Sequence, residues 1–196
     1  MVRTYAYSAN LDKETEKLFR SAEFLGEGHN GIVYELPGNR AIKIFQQSKC
    51  CMDEGRVLKR VSKSKFFPNV YSVGNHYIVR EKIGGERLDH YIKKNGLSYK
   101  LCKNLFDLIK EFKHLRFTKL DARCRDIYVL DDETVRVIDP KQCYTKKVTY
   151  PRHLMKGFKK IDCLDEFLEN IKAIDKKIGQ EWETRINKYF YDNERE

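Results

Sequence analysis

Side chains that could bind a triphosphate and its metal follow one another along this chain in a set order. A glycine-rich turn is followed by a lysine, a glutamate and three aspartates: Gly26, Gly28, Gly31, Lys43, Glu54, Asp121, Asp126 and Asp139. Backbone N–H groups of a glycine turn can cradle phosphates, a lysine can contact phosphate oxygens, and carboxylates can hold magnesium. The order and spacing therefore favour transfer of the terminal phosphoryl group of a nucleoside triphosphate.

The glycine segment 26–31 has the pattern GxGxxG, which is a weak signal by itself. A dinucleotide-binding domain would open a helix at the third glycine. Here the residues that follow favour a strand, and Pro37-Gly38 leaves no room for a helix. The sequence therefore predicts a strand–turn–strand hairpin that folds over phosphates, with Val33 pointing toward a base. A glycine hairpin without a ligand is the alternative.

Lys43 lies between two isoleucines in an apolar strand, where an unpaired ammonium group would be costly to bury. Glu54, on the following helix, could hold Lys43 while the lysine binds phosphate oxygens. Strand alternation places Ala41 on the same face as Lys43, and its small side chain leaves space for a flat base. The alternative is that Lys43 extends to solvent from the outer face of an edge strand.

Three aspartates in the second half lie beside short apolar runs. Asp121 lies in a loop, where it could accept a proton from a substrate hydroxyl. Arg123 is a cation suited to the transferring phosphoryl group. Asp126 opens one predicted strand and Asp139 ends the next, so the two carboxylates could share magnesium. A role as a loop or cap residue is the alternative for each aspartate.

Hydrophobic periodicity predicts strands before Gly84-Gly85 and mainly helices after it. Three antiparallel strands are expected in 22–45, then a helix near 51–61 and a hairpin over 69–83. After the glycine pair, Ser98 is a candidate N-cap for a helix. Two short strands are expected around the acidic turn of Asp131 and Asp132, which we interpret as structural.

Leu164 to Ile186 carries an apolar stripe that predicts one long helix packed on its own core. These elements together indicate an α+β chain of one domain over 1–196. Its N-terminal lobe, about 18–83, would hold a small antiparallel sheet and one helix. Its C-terminal lobe, about 86–192, would be mostly helical.

Composition limits the classes of protein that this chain can belong to. Its 196 residues have 41% hydrophobic content and a net charge of +10, with no stretch apolar enough to span a membrane. Residues 1–17 are polar and do not have the apolar centre of a secretion signal, so a cytoplasmic location is expected. Six cysteines without CxxC spacing are interpreted as free thiols.

The glycine loop, Ala41-Ile42-Lys43 and the spacing from Asp121 through Asp126 to Asp139 resemble the protein-kinase-like superfamily. The chain is similar to the compact bacterial proteins called serine/threonine protein kinases, with a catalytic lobe as simple as in the RIO type. The resemblance covers about residues 20–140 and implies a two-lobed kinase-like fold, with ATP and Mg²⁺, or Mn²⁺, as cofactors.

The resemblance also implies roles for individual positions. Lys43 would contact the α- and β-phosphates and pair with Glu54. Main-chain groups at Glu81 and Ile83 would meet adenine. The backbone covering ATP would be that of Leu25, Gly26, Glu27, Gly28, His29, Asn30, Gly31, Ile32 and Val33.

In the second half, the resemblance makes Asp121 the catalytic aspartate and places Arg123 where the family has lysine. Asp126 stands where the family has asparagine as second metal ligand, and Asp139 is the magnesium aspartate. The chain departs from the family at Lys119-Leu120, where histidine and arginine are usual. It also departs after Asp139, where Pro140-Lys141 replaces Phe-Gly and no activation segment follows.

A protein serine/threonine kinase is therefore the first functional hypothesis. A small-molecule kinase, an ATPase serving a complex, and a catalytically weak ATP-binding regulatory module are the alternatives; a basic RNA-binding adaptor is a weaker one. The basic region 141–160 could attract an acidic protein or a nucleic acid, although such a charge run is also typical of a solvated surface.

Overall fold

The computed structural model describes residues 9–140 and 142–193. Contacts within the chain divide it into two compact units, of which the first ends at Ile83 and the second begins at Gly84. The predicted α+β class is confirmed. The first unit carries α1 (Lys13–Phe19), β1 (Glu23–Gly28), β2 (Gly31–Leu36), β3 (Arg40–Phe45), α2 (Ser48–Arg60), β4 (Val70–Val73) and β5 (Tyr77–Glu81).

The five strands of the first unit form one antiparallel sheet in the order β1-β2-β3-β5-β4. The three successive strands and the later hairpin that the sequence predicts are confirmed. Alternate residues of β3 face two different cores. Ile42 and Ile44 pack on the side of α1, whereas Phe45 packs against Leu58 of α2. Lys43 alternates with the isoleucines and so lies on the α2 side.

Helix α1 is a second helix in a unit for which the sequence pattern predicts one. The Asp12 carboxylate caps it by accepting the Thr15 N–H at 2.8 Å, and it also accepts the Tyr77 hydroxyl at 2.6 Å. These hydrogen bonds lower the pKa of Asp12 to about 2. An aspartate before an acidic first turn is a helix-start signal that the sequence does contain.

The second unit is mostly helical, as predicted. Its elements are β6 (Glu86–Arg87), α3 (Leu88–Asn95), α4 (Tyr99–His114), a 3-10 turn (Cys124–Asp126), β7 (Ile127–Val129), β8 (Val135–Val137), α5 (Arg152–Lys159), α6 (Leu164–Ile174) and α7 (Lys176–Asn193). Strands β6, β7 and β8 form a small antiparallel sheet. Ser98 caps α4 by accepting the Leu101 N–H at 2.9 Å, so the predicted N-cap is confirmed.

The prediction of one long helix over the apolar stripe is wrong, because the chain breaks at Asp175. This residue is extended, and its carboxylate accepts the N–H of Ile178 at 3.0 Å, which starts α7 as a new helix. The two helices then pack against each other, and the ring of Phe167 stacks on Trp182 with centroids 6.3 Å apart. The stripe is therefore core, as predicted, but on two helices.

The free thiols that the composition predicts are confirmed. All six cysteines are free thiols, five of them buried. Burial raises the pKa of the Cys102 thiol to about 12, so that this group stays protonated and unreactive near neutral pH. No helix in 9–140 or 142–193 has both the length and the apolar content needed to cross a bilayer. The polar start of the chain, 1–8, lies outside the described residues.

Helix α5 packs directly on the 3-10 turn because residue 157 is glycine. A Cβ at Gly157 would lie 2.3 Å from Sγ of the buried Cys124 and 3.5 Å from its Cβ. The first distance is a clash, whereas the second is ordinary van der Waals contact. Only a residue without a side chain therefore allows this approach while Cys124 is present.

We expect Gly157→Ala to lower the free energy of unfolding by about 1–3 kcal/mol, the usual cost of overpacking. In a Cys124→Ala background the same change should be neutral or stabilising, because the clashing sulfur is gone and alanine favours a helix. Denaturant unfolding of the four proteins of this double-mutant cycle measures the coupling. Equal costs of Gly157→Ala in both backgrounds would contradict the packing described here.

Candidate functional site

The glycine segment forms the hairpin of β1 and β2, as the sequence predicts. Glu27 pairs with Ile32 and Gly28 with Gly31, and His29-Asn30 makes the turn. The register shifts between Phe24 and Gly26, so Leu25 lies in a bulge and is 47% exposed. β1 is also the edge strand of the sheet, so among the described residues its outer side pairs with no other strand.

The three glycines of the hairpin have different local surroundings. A Cβ at Gly31 would lie 1.9 Å from the Ile44 carbonyl oxygen, so strand packing itself requires glycine there. At Gly26 a Cβ would meet nothing within 4 Å, and at Gly28 it would meet only the Gly31 carbonyl oxygen at 3.9 Å. Internal packing thus accounts for Gly31 but leaves the glycines at 26 and 28 unexplained.

Lys43 is buried and forms an ion pair with Glu54 of α2. Its Nζ donates to Glu54 Oε2 at 2.5 Å, and the side chains are 10% and 6% exposed. The same ammonium group lies 4.6 Å from the centroid of the Phe45 ring. The pairing that the sequence predicts is therefore present, and the alternative of a lysine extended into solvent does not describe this structure.

The residues predicted to surround a base lie on or beside the same sheet. Val33 pairs with Lys43 across β2 and β3, and Ala41 is buried with Arg80 as its partner on β5. Glu81 donates its backbone N–H to Asn69, and its carbonyl oxygen accepts the Arg80 guanidinium at 3.1 Å. Adenine contacts at Glu81 and Ile83 stay a prediction.

In the second unit, the three predicted aspartates come together around one cavity. Asp121, Asp126 and Asp139 line it with Lys119, and its volume is about 20 Å³. A cavity of this size has room for about one water-sized group. The three aspartates, of which the first and last lie 18 positions apart in the sequence, therefore share one small polar space.

Asp126 and Asp139 are positioned by the β7–β8 pair. Asp126 precedes β7, and its carbonyl oxygen accepts the N–H of Ile138 at 3.1 Å, which brings the start of one strand beside the end of the other. Arg125 also forms an ion pair with Asp126, with Nε and Oδ1 4.0 Å apart. The two carboxylates therefore flank the cavity from neighbouring strand ends, as the sequence predicts.

Two carboxylates beside a water-sized cavity fit the ligand preference of magnesium, which usually takes one or two carboxylates and keeps several waters. Within 9–140 and 142–193, no group of three or more His, Cys, Asp and Glu side chains is arranged to hold a metal ion. A metal held by Asp126 and Asp139 would thus complete its shell with water or phosphate oxygens.

Asp121, which the sequence predicts to accept a proton from a substrate hydroxyl, is buried in the structure. Its side chain is 0% exposed, and its carboxylate accepts the backbone N–H groups of His153 and Leu154 at the start of α5. It also contacts Nδ1 of His153 at 2.5 Å. Burial raises the pKa of the Asp121 carboxyl, and the hydrogen bonds from His153 oppose that rise.

Arg123 and His153 complete the surroundings of this loop. Arg123 precedes the 3-10 turn and is exposed. The sequence pattern includes His153 only among the cations of the basic region and does not predict its contact with Asp121. The available signal was Pro151 before the amphipathic segment 152–159, which indicates a helix start but not what the helix packs against.

The basic region divides into exposed and engaged cations. Lys146, Lys147 and Lys160 are exposed, and Lys159 is exposed but lies 6.0 Å from the centroid of the Phe190 ring on α7; Lys141 lies outside the described residues. Lys156 Nζ donates to the hydroxyl of Tyr189 on α7 at 2.8 Å, and the Arg152 guanidinium lies 5.0 Å from the centroid of the same ring. Part of this region therefore attaches α5 to α7, and binding of a partner stays a prediction.

One known protein is similar to this chain over most of its length. It is named "Putative serine/threonine-protein kinase YrzF" and comes from Bacillus subtilis (strain 168), with 25% identity over 141 residues. The matched part is 69% of this chain, and the chain spans 65% of the length of that relative. No protein-family model matches the chain. The similarity supports a kinase-like relationship at this coarse level.

We expect alanine substitutions at the three hairpin glycines to differ in their effect on the free energy of unfolding. Gly31→Ala should lower the free energy of unfolding by about 3 kcal/mol or more, because its Cβ meets a backbone carbonyl that cannot move freely. Gly26→Ala and Gly28→Ala should stay within about 1 kcal/mol of the wild type, because both positions have space. Thermal and urea unfolding would show this, and equal losses at all three positions would contradict it.

Removing one partner of the buried ion pair should lower the free energy of unfolding more than removing both partners. Lys43→Met leaves the Glu54 carboxylate buried without its cation, and we expect a loss of about 3–5 kcal/mol. The double variant Lys43→Met, Glu54→Leu should recover most of this loss. Urea unfolding measures the difference, and a double variant less stable than Lys43→Met would refute the assignment of the pair as buried and coupled.

Proposed function

We propose that this protein is a kinase-like phosphotransferase that transfers the terminal phosphoryl group of ATP to a serine or threonine hydroxyl of a protein. The observation that carries this proposal is the buried ion pair between Lys43, on the strand next to the glycine hairpin, and Glu54 of α2. The kinase-like relative supports the same class of reaction. That relative is named as a serine/threonine-protein kinase, and the choice of a protein hydroxyl as acceptor follows this name.

The ion pair favours a role in binding phosphate because burying a charged lysine destabilises the folded state. Replacing such a pair with apolar residues is often neutral or stabilising, so stability alone is a weak reason to keep it. Phosphate oxygens would supply the anion that the position suits, and Glu54 would hold the ammonium group in place for them. Lys43 thus acts in this proposal as the contact to the α- and β-phosphates.

The hairpin glycines support the same ligand. Neither Gly26 nor Gly28 is required by packing within the unit, so their lack of a side chain suits the close approach of something else. Backbone N–H groups from Leu25 to Val33 would then cover the phosphates of ATP. Gly31, in contrast, keeps β2 against β3 whether or not a nucleotide is bound.

Asp126 and Asp139 would hold the Mg²⁺ that accompanies the nucleotide. The bound cation would neutralise charge on the phosphoryl group during transfer. Asp121 contributes the buried carboxylate of the proton-accepting site, and Arg123 is an exposed cation available to the phosphoryl group.

The test is transfer of labelled phosphate from γ-labelled ATP with Mg²⁺ or Mn²⁺, onto the protein itself or an added protein acceptor. Wild type should transfer phosphate, whereas Lys43→Met and Asp139→Ala should lose it by about 10²-fold or more. Asp131→Ala is the matched control, because Asp131 is exposed on the turn between β7 and β8. It should keep full transfer.

Release of phosphate from ATP without labelling of protein would instead favour a small-molecule kinase or an ATPase. Equal activity of wild type and Asp139→Ala would refute the assigned metal site. Loss of transfer in Asp131→Ala as well would show that the assay reports folding rather than chemistry, so each variant is compared with its own unfolding curve.

A second candidate is a regulatory module that binds ATP but transfers nothing. The observation that favours it is Asp121, whose carboxylate is fully buried and engaged by α5. It predicts nucleotide affinity in wild type that is lost in Lys43→Met, with no labelled product from any variant. Transfer by wild type that Asp121→Asn removes, with ATP binding unchanged, would exclude it.

A further inference from the structure

The described part of the basic region, 142–160, lies against the loop that carries Asp121. Directly before this aspartate, the Leu120 N–H donates to the carbonyl oxygen of Val148 at 2.7 Å. The Asp121 carboxylate itself accepts the N–H of His153 at 2.9 Å. Hydrogen bonds from two places in the basic region therefore hold it beside the aspartate to which we assign the proton-accepting site.

The positive charge of this region has no compensation from within the chain. Its described part contains no aspartate or glutamate. Within 9–140 and 142–193, none of its lysine and arginine side chains forms an ion pair with a carboxylate. An uncompensated cluster of this kind raises the local concentration of anionic partners. The cations concerned are Lys146, Lys147, Arg152, Lys156, Lys159 and Lys160.

Lys146 holds its segment in place through the backbone, which leaves its side chain available. Its carbonyl oxygen accepts the Thr118 hydroxyl at 2.8 Å, and its N–H donates to Gln142 at 3.1 Å. The side chains of Lys146 and Lys147 are exposed, and no hydrogen bond or ion pair with a described residue engages them. Two ammonium groups beside the Asp121 loop are thus open to carboxylates of a bound partner.

Two further cations are held in fixed positions by an aromatic ring. Lys156 Nζ donates to the Tyr189 hydroxyl at 2.8 Å and lies 4.9 Å from the centroid of that ring. The Arg152 guanidinium lies 5.0 Å from the same centroid. Contact with a ring attracts a cation without neutralising it. Because these half-buried side chains are already ordered, they lose little conformational entropy when an anion binds.

The surroundings of the cations favour an acidic peptide over a nucleic acid. Single-stranded nucleic acids bind where cations accompany aromatic rings on which bases stack. Here the rings near the cations are engaged within the chain. Tyr144 packs edge-on against Phe117 with centroids 5.0 Å apart, and the Arg185 guanidinium lies 4.7 Å from the centroid of Tyr150. Tyr189 carries the two cations of α5.

We propose that the phosphoryl acceptor is a serine or threonine flanked by aspartate or glutamate residues. The basic region binds these flanking carboxylates and so holds the hydroxyl beside Asp121. This inference rests on the phosphotransferase function proposed above and names the class of protein that it acts on. Charge complementarity of this kind contributes to the choice of partner and to the rate of encounter more than to affinity alone.

The test compares three peptides that differ only around one central serine, which is flanked by glutamate, glutamine or lysine. With γ-labelled ATP and Mg²⁺, wild type should phosphorylate the glutamate peptide with a kcat/KM about 10-fold above that of the glutamine peptide, since several exposed charge pairs add their modest contributions. The lysine peptide should be the poorest acceptor. The difference should lie mainly in KM and should shrink as the ionic strength rises.

Reversing two charges separates peptide selection from folding. The double variant Lys146→Glu, Lys147→Glu changes exposed side chains and leaves the backbone hydrogen bonds in place. Relative to wild type, its ratio of kcat/KM for the glutamate peptide to that for the lysine peptide should fall by about 10-fold or more. A loss of fold would instead lower transfer to all three peptides alike.

The matched control is Lys176→Glu, Lys177→Glu, which makes the same change in net charge. Both lysines are exposed at the start of α7. Tyr189, which contacts α5, lies 13 residues further along that helix, or about 20 Å at the usual rise. This control should keep the wild-type preference for the glutamate peptide, and an equal fall in the ratio would reduce the effect to net charge and overturn the inference.

The outcomes distinguish this inference from the proposed function. If wild type labels itself or a peptide but does not prefer the glutamate peptide, the inference is wrong and the phosphotransferase stands. If a single-stranded RNA oligonucleotide binds wild type but not Lys146→Glu, Lys147→Glu, and the glutamate peptide has no advantage, the surface binds nucleic acid and the inference is again wrong. If wild type transfers nothing to itself or to any peptide, the proposed function fails and the acidic acceptor fails with it.

Discussion

A lysine buried in an apolar strand constrains the whole first unit. Lys43 has Ile42 and Ile44 on either side, and each of these packs into the core on the opposite face of the sheet. The ammonium group therefore lies between the sheet and α2, where Glu54 is its counter-charge. An ion of this kind in a low-dielectric site is tolerable only with a partner and good geometry. Sheet, helix and candidate phosphate contact depend on that one pair.

The second unit buries a charge of the opposite sign. Asp121 is an anion enclosed by protein, and it is satisfied by N–H groups at the start of α5 and by the His153 ring. Gly157 allows the same helix to pack closely against Cys124 of the 3-10 turn. In both units, a helix satisfies a charge on the neighbouring segment, and the residues with candidate chemical roles lie at those contacts.

The first unit's strands follow from period-two alternation, and the GxGxxG segment is a hairpin because the residues after Gly31 favour a strand. The Lys43–Glu54 pair was predictable because a lysine between isoleucines requires an anion nearby. The shared cavity of Asp121, Asp126 and Asp139 agrees with the short spacing of these residues around one strand pair. The sequence-based prediction failed where one residue ends an element. The apolar periodicity continues through Asp175 and predicted one helix, but Asp175 ends α6 and caps α7.

The α+β class, the hairpin, the buried charge pair and the list of candidate residues for chemistry follow from the amino-acid sequence alone, because residue type and short-range period act locally. Three-dimensional packing was needed to show which of the aspartates is enclosed, that His153 is its partner, and that Gly31 is needed for packing while Gly26 is not. Those facts depend on which segments, distant in the chain, come within a few ångströms of each other. Hydrophobic pattern specifies which face of a segment is buried, but not which polar atom lies opposite it.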